Sequence, residues 1–118
     1  MRGTGSVFDE VEFSVTSAQT GEGVWAIAVG GELDLYTAPE VRDELAALPE
    51  DGGDVVVDLT TMTFVDSAGI AALLVAARRL RACGGTMTLV VDDPRVLRVL
   101  EVTGLDRYFE VRRVVGVS

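Results

Sequence analysis

Residues 55–74 read VVVDLTTMTFVDSAGIAALL, and this stretch decides the fold. Val55 to Leu59 is an apolar run of strand length. A short polar loop follows and closes on Phe64, Val65, Asp66 and Ser67, where a helix starts. Ser67 therefore brings a hydroxyl to a helix N-terminus. The first amides of a helix lack intrahelical partners, and about half a positive charge gathers there. Such a place accepts a phosphate more readily than most of a protein surface.

Upstream, VEFSVT (11–16) alternates apolar and polar residues, as a half-buried strand does. AQTGEG (18–23) is a turn signal, and VWAIAVGG (24–31) is a second strand, so the first two form an antiparallel hairpin. GELDLYTAPE (31–40) leads into helix one. Thr37 and Glu40 have the spacing of a capping box, and Pro39 falls in the first turn, where its missing N–H costs little. Val41, Leu45 and Leu48 make its apolar stripe, and PEDGG (49–53) ends it. DVVVDL (54–59) reads as a strand covered on both faces or lying at the sheet centre.

Downstream, helix two runs from Ser67 to Ala82, with Ile70, Leu73, Leu74, Ala77 and Leu80 toward the core. Arg78, Arg79 and Arg81 suit the negative end of its dipole, and Gly84 and Gly85 end it. TMTLVV (86–91) is a strand. Asp93 caps helix three with Pro94 at its first position. Val96, Leu97 and Leu100 form its apolar face, and Gly104 ends it. YFEVRRVV (108–115) is the last strand. The pattern is α/β: an antiparallel N-terminal hairpin, then strands alternating with helices. Alternation implies parallel pairing through right-handed crossovers, which places the helices mainly on one face of a mixed sheet.

The 118 residues form one domain, with a core over about 11–111 and a flexible N-terminus at 1–10. A 48% hydrophobic content fits a globular chain. No apolar run approaches the roughly 20 residues that span a bilayer. MRGTGSVFDE lacks the apolar stretch of a signal peptide. One cysteine excludes an internal disulfide, and the expected location is cytoplasmic.

The net charge of −9 argues against nucleic acid and anionic membrane as partners. The charge is uneven. Residues 1–66 hold 14 acidic residues and two arginines, net −12, whereas residues 67–118 hold five acidic residues and eight arginines, net +3. The first half presents either an acidic face to a basic partner or an ordinary solvated surface.

There is no histidine, so Ser-His-Asp and Cys-His catalytic sets and a structural zinc site cannot be built. All ten basic residues are arginine, which removes the P-loop lysine and Schiff-base chemistry. An enzyme would need carboxylates alone, or a carboxylate-held metal on Asp34, Asp58 and Asp66. No base, nucleophile activator or phosphate loop accompanies them, so the expectation is no enzyme and no cofactor.

Three segments, GELDLYTAPEVRDEL (31–45), VVVDLTTMTFVDSAGIAALL (55–74) and the stretch from Gly84 to Val111, resemble the STAS domain family, in particular the bacterial anti-sigma-factor antagonists. The resemblance covers residues 11 to 111. It rests on G-E-L-D followed by T-A, together with F-x-D-S-x-G. It implies a STAS-like fold and a partner-switching function. The unphosphorylated form binds an anti-sigma factor, itself a serine kinase with a histidine-kinase-like ATPase fold, and releases the sigma factor. Phosphorylation ends binding, and a serine phosphatase restores it. Carried over, Ser67 is the phospho-acceptor, and Asp34, Asp66, Ser67, Ala68 and Gly69 form the partner-binding region. Ala68 stands where many members have a second hydroxyl. Members often carry a further helix after the last strand, whereas this sequence ends with VRRVVGVS (111–118), so the expectation is that the helix is absent or its place is taken by something else. The expected state is a monomer or weak homodimer.

Plainer readings stand beside these. Ser67 alone is an ordinary N-cap residue, and Asp34 alone a turn cap. Gly69 allows close packing of the helix on a strand or on a partner. Trp25 is a core or sheet-surface residue, and Cys83 is inert near a helix end. The alternative function is a constitutive STAS interaction module in a transport ATPase complex or signalling scaffold, in which Ser67 is a cap or a contact.

Overall fold

The computed structural model describes residues 13–21, 23–49 and 53–114. The expected flexible segment 1–10, the start of the strand at 11–16, and Val115 of the last strand lie outside them. Five strands form one sheet in sequential order: β1 (Ser14–Gly21), β2 (Val24–Leu33), β3 (Asp54–Val65), β4 (Met87–Val91) and β5 (Glu110–Arg113). β1 and β2 pair antiparallel, and each later neighbour pairs parallel. The crossovers are α1 (Ala38–Ala46), α2 (Ser67–Ala82) and α3 (Pro94–Val102), the last followed by a 3-10 turn at Leu105–Tyr108.

One face of the sheet carries the core. Ile27, Val29, Leu33, Val55, Val57, Leu59, Leu89 and Val91 are buried there. Val41 and Leu45 of α1, Ile70, Leu73 and Ala77 of α2, and Val96 and Leu100 of α3 close over the same cluster. The intervening residues Ala26, Val56, Asp58, Thr88 and Val90 are only half-buried, and Ala28 is exposed. Among the described residues β3 thus lies at the sheet centre with helices over one face, as same-handed crossovers between successive neighbours require.

β3 is the main departure from the sequence reading. TTMTFV is not a loop but the second half of a 12-residue strand. Its ladder with β2 runs Ala28↔Asp58, Gly30↔Thr61, Gly31↔Met62, Glu32↔Phe64 and Leu33↔Val65. Two extra residues on β3 are absorbed as bulges. Inward residues therefore change from every second position (Val55, Val57, Leu59) to every third (Leu59, Met62, Val65). That change of period makes the segment look like a loop to a strand template. Asp58 pins the first bulge: its Oδ1 accepts the amide of Thr60 at 2.9 Å and the Thr60 hydroxyl at 2.7 Å.

Other boundaries shift for similar reasons. β1 continues through the expected turn to Gly21, which pairs with Val24. The capping box does not form. Thr37 occupies the N-cap position of α1 without a side-chain cap bond. Its hydroxyl instead donates to the Glu32 carbonyl at 2.7 Å and accepts the Asp34 amide at 2.9 Å. The residues before the final strand fold as the 3-10 turn, and Tyr108 lies against Arg78 and Arg81, 5.4 and 5.8 Å from the ring centre. Trp25 is half-buried and packs on the core.

Several ends form as the sequence implies. α2 closes at Gly84, whose φ of +88° favours glycine, with the Gly85 amide donating to the Leu80 carbonyl at 2.8 Å. Asp93 caps α3, its Oδ1 accepting the Arg95 amide at 2.9 Å while its Oδ2 pairs with the Arg95 guanidinium at 2.8 Å. The side-chain hydrogen bonds from Arg95, then its amide, hold the Asp93 carboxyl below the usual value of 3.8. A depressed folded value contributes stability above the unfolded pKa and loses it as pH falls through the folded one. We expect carboxyl NMR to show Asp93 titrating below 3.8 in the native chain, and Arg95→Ala to raise it part of the way back. An unchanged midpoint in the variant would remove the pair as the cause.

Candidate functional site

β2 and β3 end level with each other, because Leu33 pairs with Val65. The next residues, Asp34 and Asp66, therefore emerge side by side at the carboxyl end of the sheet. The Asp66 amide donates to the Leu33 carbonyl at 3.1 Å, locking the two strand ends together.

α2 begins at once. Its N-cap is Asp66, not Ser67. Asp66 Oδ1 accepts the amides of Ala68 at 2.9 Å and Gly69 at 3.1 Å, and its carbonyl accepts that of Ile70 at 3.1 Å. This corrects the plain reading of Ser67 as a cap: Asp66 already supplies the acceptor. Ser67 is the first residue of the helix and is exposed. A phosphate on Ser67 would share the helix N-terminus with the Asp66 carboxylate, whose Oδ1 already accepts the Ala68 and Gly69 amides. Asp66→Ala removes a cap shared by two amides, and we expect a loss of about 1 kcal/mol. Denaturant melts measure it, and an unchanged midpoint would mean that water serves the helix end equally well.

Gly69 is buried on Leu33. A Cβ built on it would lie 2.5 Å from Leu33 Cγ and 2.8 Å from the Leu33 carbonyl oxygen. The absence of a side chain thus lets α2 descend directly onto the end of β2. Of the two readings of Gly69, packing on a strand is the one its position satisfies. Ala68 is half-buried and packs on the core.

Asp34 organises the neighbouring loop. Its Oδ1 accepts the amides of Tyr36 at 2.9 Å and Thr37 at 3.1 Å, so it does serve as a turn cap. Together with the Thr37 hydroxyl bonds this fixes the path from Glu32 to the start of α1. Between the two tethers stand Leu35 and Tyr36, 66% and 85% exposed. Neither was singled out from the sequence, although two large apolar residues inside a turn segment were the visible signal.

Asp34, Asp66 and Ser67 are thus gathered at one end, on a base formed by Leu33, Ala68 and Gly69. Asp58 does not join them. It lies earlier on β3 and is engaged by Thr60. Among the described residues no group of three carboxylate, histidine or cysteine side chains is placed to hold a metal. None of their helices is long and apolar enough to cross a membrane.

A sequentially ordered mixed sheet, with D-S-A-G at its β3–α2 junction and G-E-L-D at the adjoining strand end, defines a STAS domain. The chain belongs to that family, whose profile matches residues 16–117. Over 91 residues it is 35% identical to the anti-sigma-B factor antagonist of Listeria monocytogenes, covering 76% of this chain and 80% of that protein. It resembles the crystal structure of an anti-sigma factor antagonist from Mycobacterium paratuberculosis with a TM-score of 0.71 at 28% identity, over 88% of this chain and 86% of that one. The phosphorylated form of the Bacillus protein SpoIIAA shares the fold, with a TM-score of 0.70 at 20% identity over 86% and 91% of the two chains.

Proposed function

We propose that this domain is an anti-sigma-factor antagonist switched by phosphorylation of Ser67. In its unmodified form it binds an anti-sigma factor with a histidine-kinase-like ATPase fold and so frees a sigma factor. The observation that carries the reading is the division of labour at the helix start. Asp66 does the capping, so the cap bonds do not engage the exposed Ser67 hydroxyl. The likeness to proteins named anti-sigma-B factor antagonists supports the partner class.

The chemistry is a simple transfer. Ser67 Oγ takes the γ-phosphoryl group of ATP, ADP leaves, and the hydroxyl proton passes to a base on the kinase. The chain itself supplies position: an exposed nucleophile on the first helical residue, between the Asp66 cap and the contact of Gly69 with Leu33. A phosphoserine adds about −1.5 to −2 charges at pH 7. It would stand beside the Asp66 carboxylate at a surface that must lose water on binding. A serine phosphatase would restore the neutral surface.

The test is a paired pull-down from lysate of the source organism with the wild-type domain and Ser67→Asp as baits. The ATPase retained by the wild type is then incubated with ATP and the domain. The expected result is an ATPase lost from the aspartate bait, and a single phosphate mapped to Ser67 by mass spectrometry. Equal capture by both baits of a transport ATPase subunit or a scaffold protein would favour the constitutive module instead.

A further inference from the structure

We propose that Leu35 and Tyr36 are the anchors by which this chain grips its protein partner, entering an apolar pocket with a basic rim on the anti-sigma factor. The proposal rests on the partner-switch reading and adds the residues and the kind of surface that give it affinity.

The first observation is exposure. Leu35 and Tyr36 are 66% and 85% exposed, in a turn where polar residues would serve the fold equally well. The second is rigidity. The Asp34 carboxylate accepts two amides of the turn, and the Thr37 hydroxyl bridges the Asp34 amide and the Glu32 carbonyl. The turn is therefore already ordered before any partner arrives, while its two apolar side chains remain in solvent. Ordering a loop in advance removes a large part of the entropic cost of binding. Tyrosine offers a large contact area with few rotatable bonds and is enriched among interface hot spots.

The third observation is position. Leu33 and Val65 are paired, Leu35 lies two residues beyond the one, and Ser67 two residues beyond the other. The anchors and the phospho-acceptor thus leave the same end of the sheet. Phe64, paired with Glu32 near the same end of β3, is a further large apolar residue left 49% exposed. The fourth is charge. GELDLYTAPE carries Glu32, Asp34 and Glu40 and no arginine, so a partner pocket that accepts Leu35 and Tyr36 is matched by a basic rim.

The proposal is tested by calorimetric titration of the purified ATPase captured by the wild-type domain against five chains. These are wild type, Ser67→Asp, the double variant Leu35→Ser/Tyr36→Ser, Tyr36→Ala, and Val102→Ser, which removes a 73% exposed valine at the end of α3. We expect the double variant to bind roughly 30-fold more weakly, about the loss of one hot-spot residue. Tyr36→Ala alone should lose roughly tenfold, and Val102→Ser should bind as wild type. Melting temperatures of the double variant and of Tyr36→Ala should stay within about 3 °C of wild type, as for surface substitutions.

Wild-type affinity in the double variant, with Ser67→Asp binding lost, would overturn the anchors and leave the switch standing. Retained binding by Ser67→Asp, with binding weakened in the double variant, would remove the switch and leave the anchors standing, whereas no ATPase captured by the wild type would overturn both. A wild-type dimer that the double variant dissolves, with ATPase affinity unchanged, would assign the patch to a second copy of the chain and overturn the proposal.

Discussion

Ser67→Asp is expected to weaken binding to the anti-sigma factor roughly 150-fold while leaving the domain at least as stable as wild type. The affinity loss corresponds to ~3 kcal/mol, since about 1.4 kcal/mol is tenfold. It arises because a charge placed beside the Asp66 carboxylate must be desolvated when the partner covers it. In the free domain the same charge costs little. The first turn of α2 has no acidic residue of its own, and a carboxylate there interacts favourably with the helix dipole by about 0.3–1 kcal/mol. Affinity and stability should therefore move in opposite directions. Ser67→Ala supplies the other arm: it should bind as wild type and accept no phosphate. Calorimetric titration and thermal melts together check the pair. Loss of both binding and fold in Ser67→Asp would reassign Ser67 to a structural role. Equal binding by the aspartate and alanine variants would remove the switch.

The second large effect is expected at Gly69. Alanine at this helix position gains at most about 1 kcal/mol of helix propensity. Against that stands a Cβ 2.5 Å from Leu33 Cγ and 2.8 Å from the Leu33 carbonyl oxygen. Leu33 cannot give way easily, because it is fully buried, paired with Val65, and its carbonyl holds the Asp66 amide. Overpacking of this kind costs about 1–3 kcal/mol, so the clash outweighs the propensity gain. Gly69→Ala should lose about 2 kcal/mol. Gly69→Val, with a stiff branched side chain and little propensity gain, should lose about 3 kcal/mol or more. For a chain of this size that is a melting-point drop of roughly 10–15 °C. Relief of the clash would lift Ser67 and tilt the start of α2, so partner affinity should fall in the same variants. An unchanged melting temperature in Gly69→Val would mean that α2 shifts freely on β2.

The two positions belong together. Gly69 sets how low the helix sits, Asp66 caps its first turn, and Ser67 lies exposed on its first residue. Asp34 performs the matching task one strand away, spending its carboxylate on the turn that presents Leu35 and Tyr36. Two aspartates that would look like an acidic site in a list of residues are both consumed by backbone amides.

The sequence by itself determined the kinds of element and their order. Apolar runs, the Asp93-Pro94 start of α3 and the glycines after α2 are local signals, and each acts within a few residues. Sequential alternation then implied parallel pairing and helices gathered on one face, and the two motifs marked the end of the sheet where Ser67 lies. Tertiary structure alone decided the rest. The two bulges of β3 exist only in its register with β2, so Met62 and Val65 turn inward at a period no single-strand template contains. Asp66 displaced Ser67 as the cap, and Thr37 left its helix for Glu32 and Asp34, because several acceptors competed for the same amides and hydroxyls. The need for glycine at position 69 is set by Leu33, a residue distant in the chain that strand pairing brings directly beneath it. Local chemistry chooses an element, but register, cap competition and contact between distant residues are settled only when the elements pack.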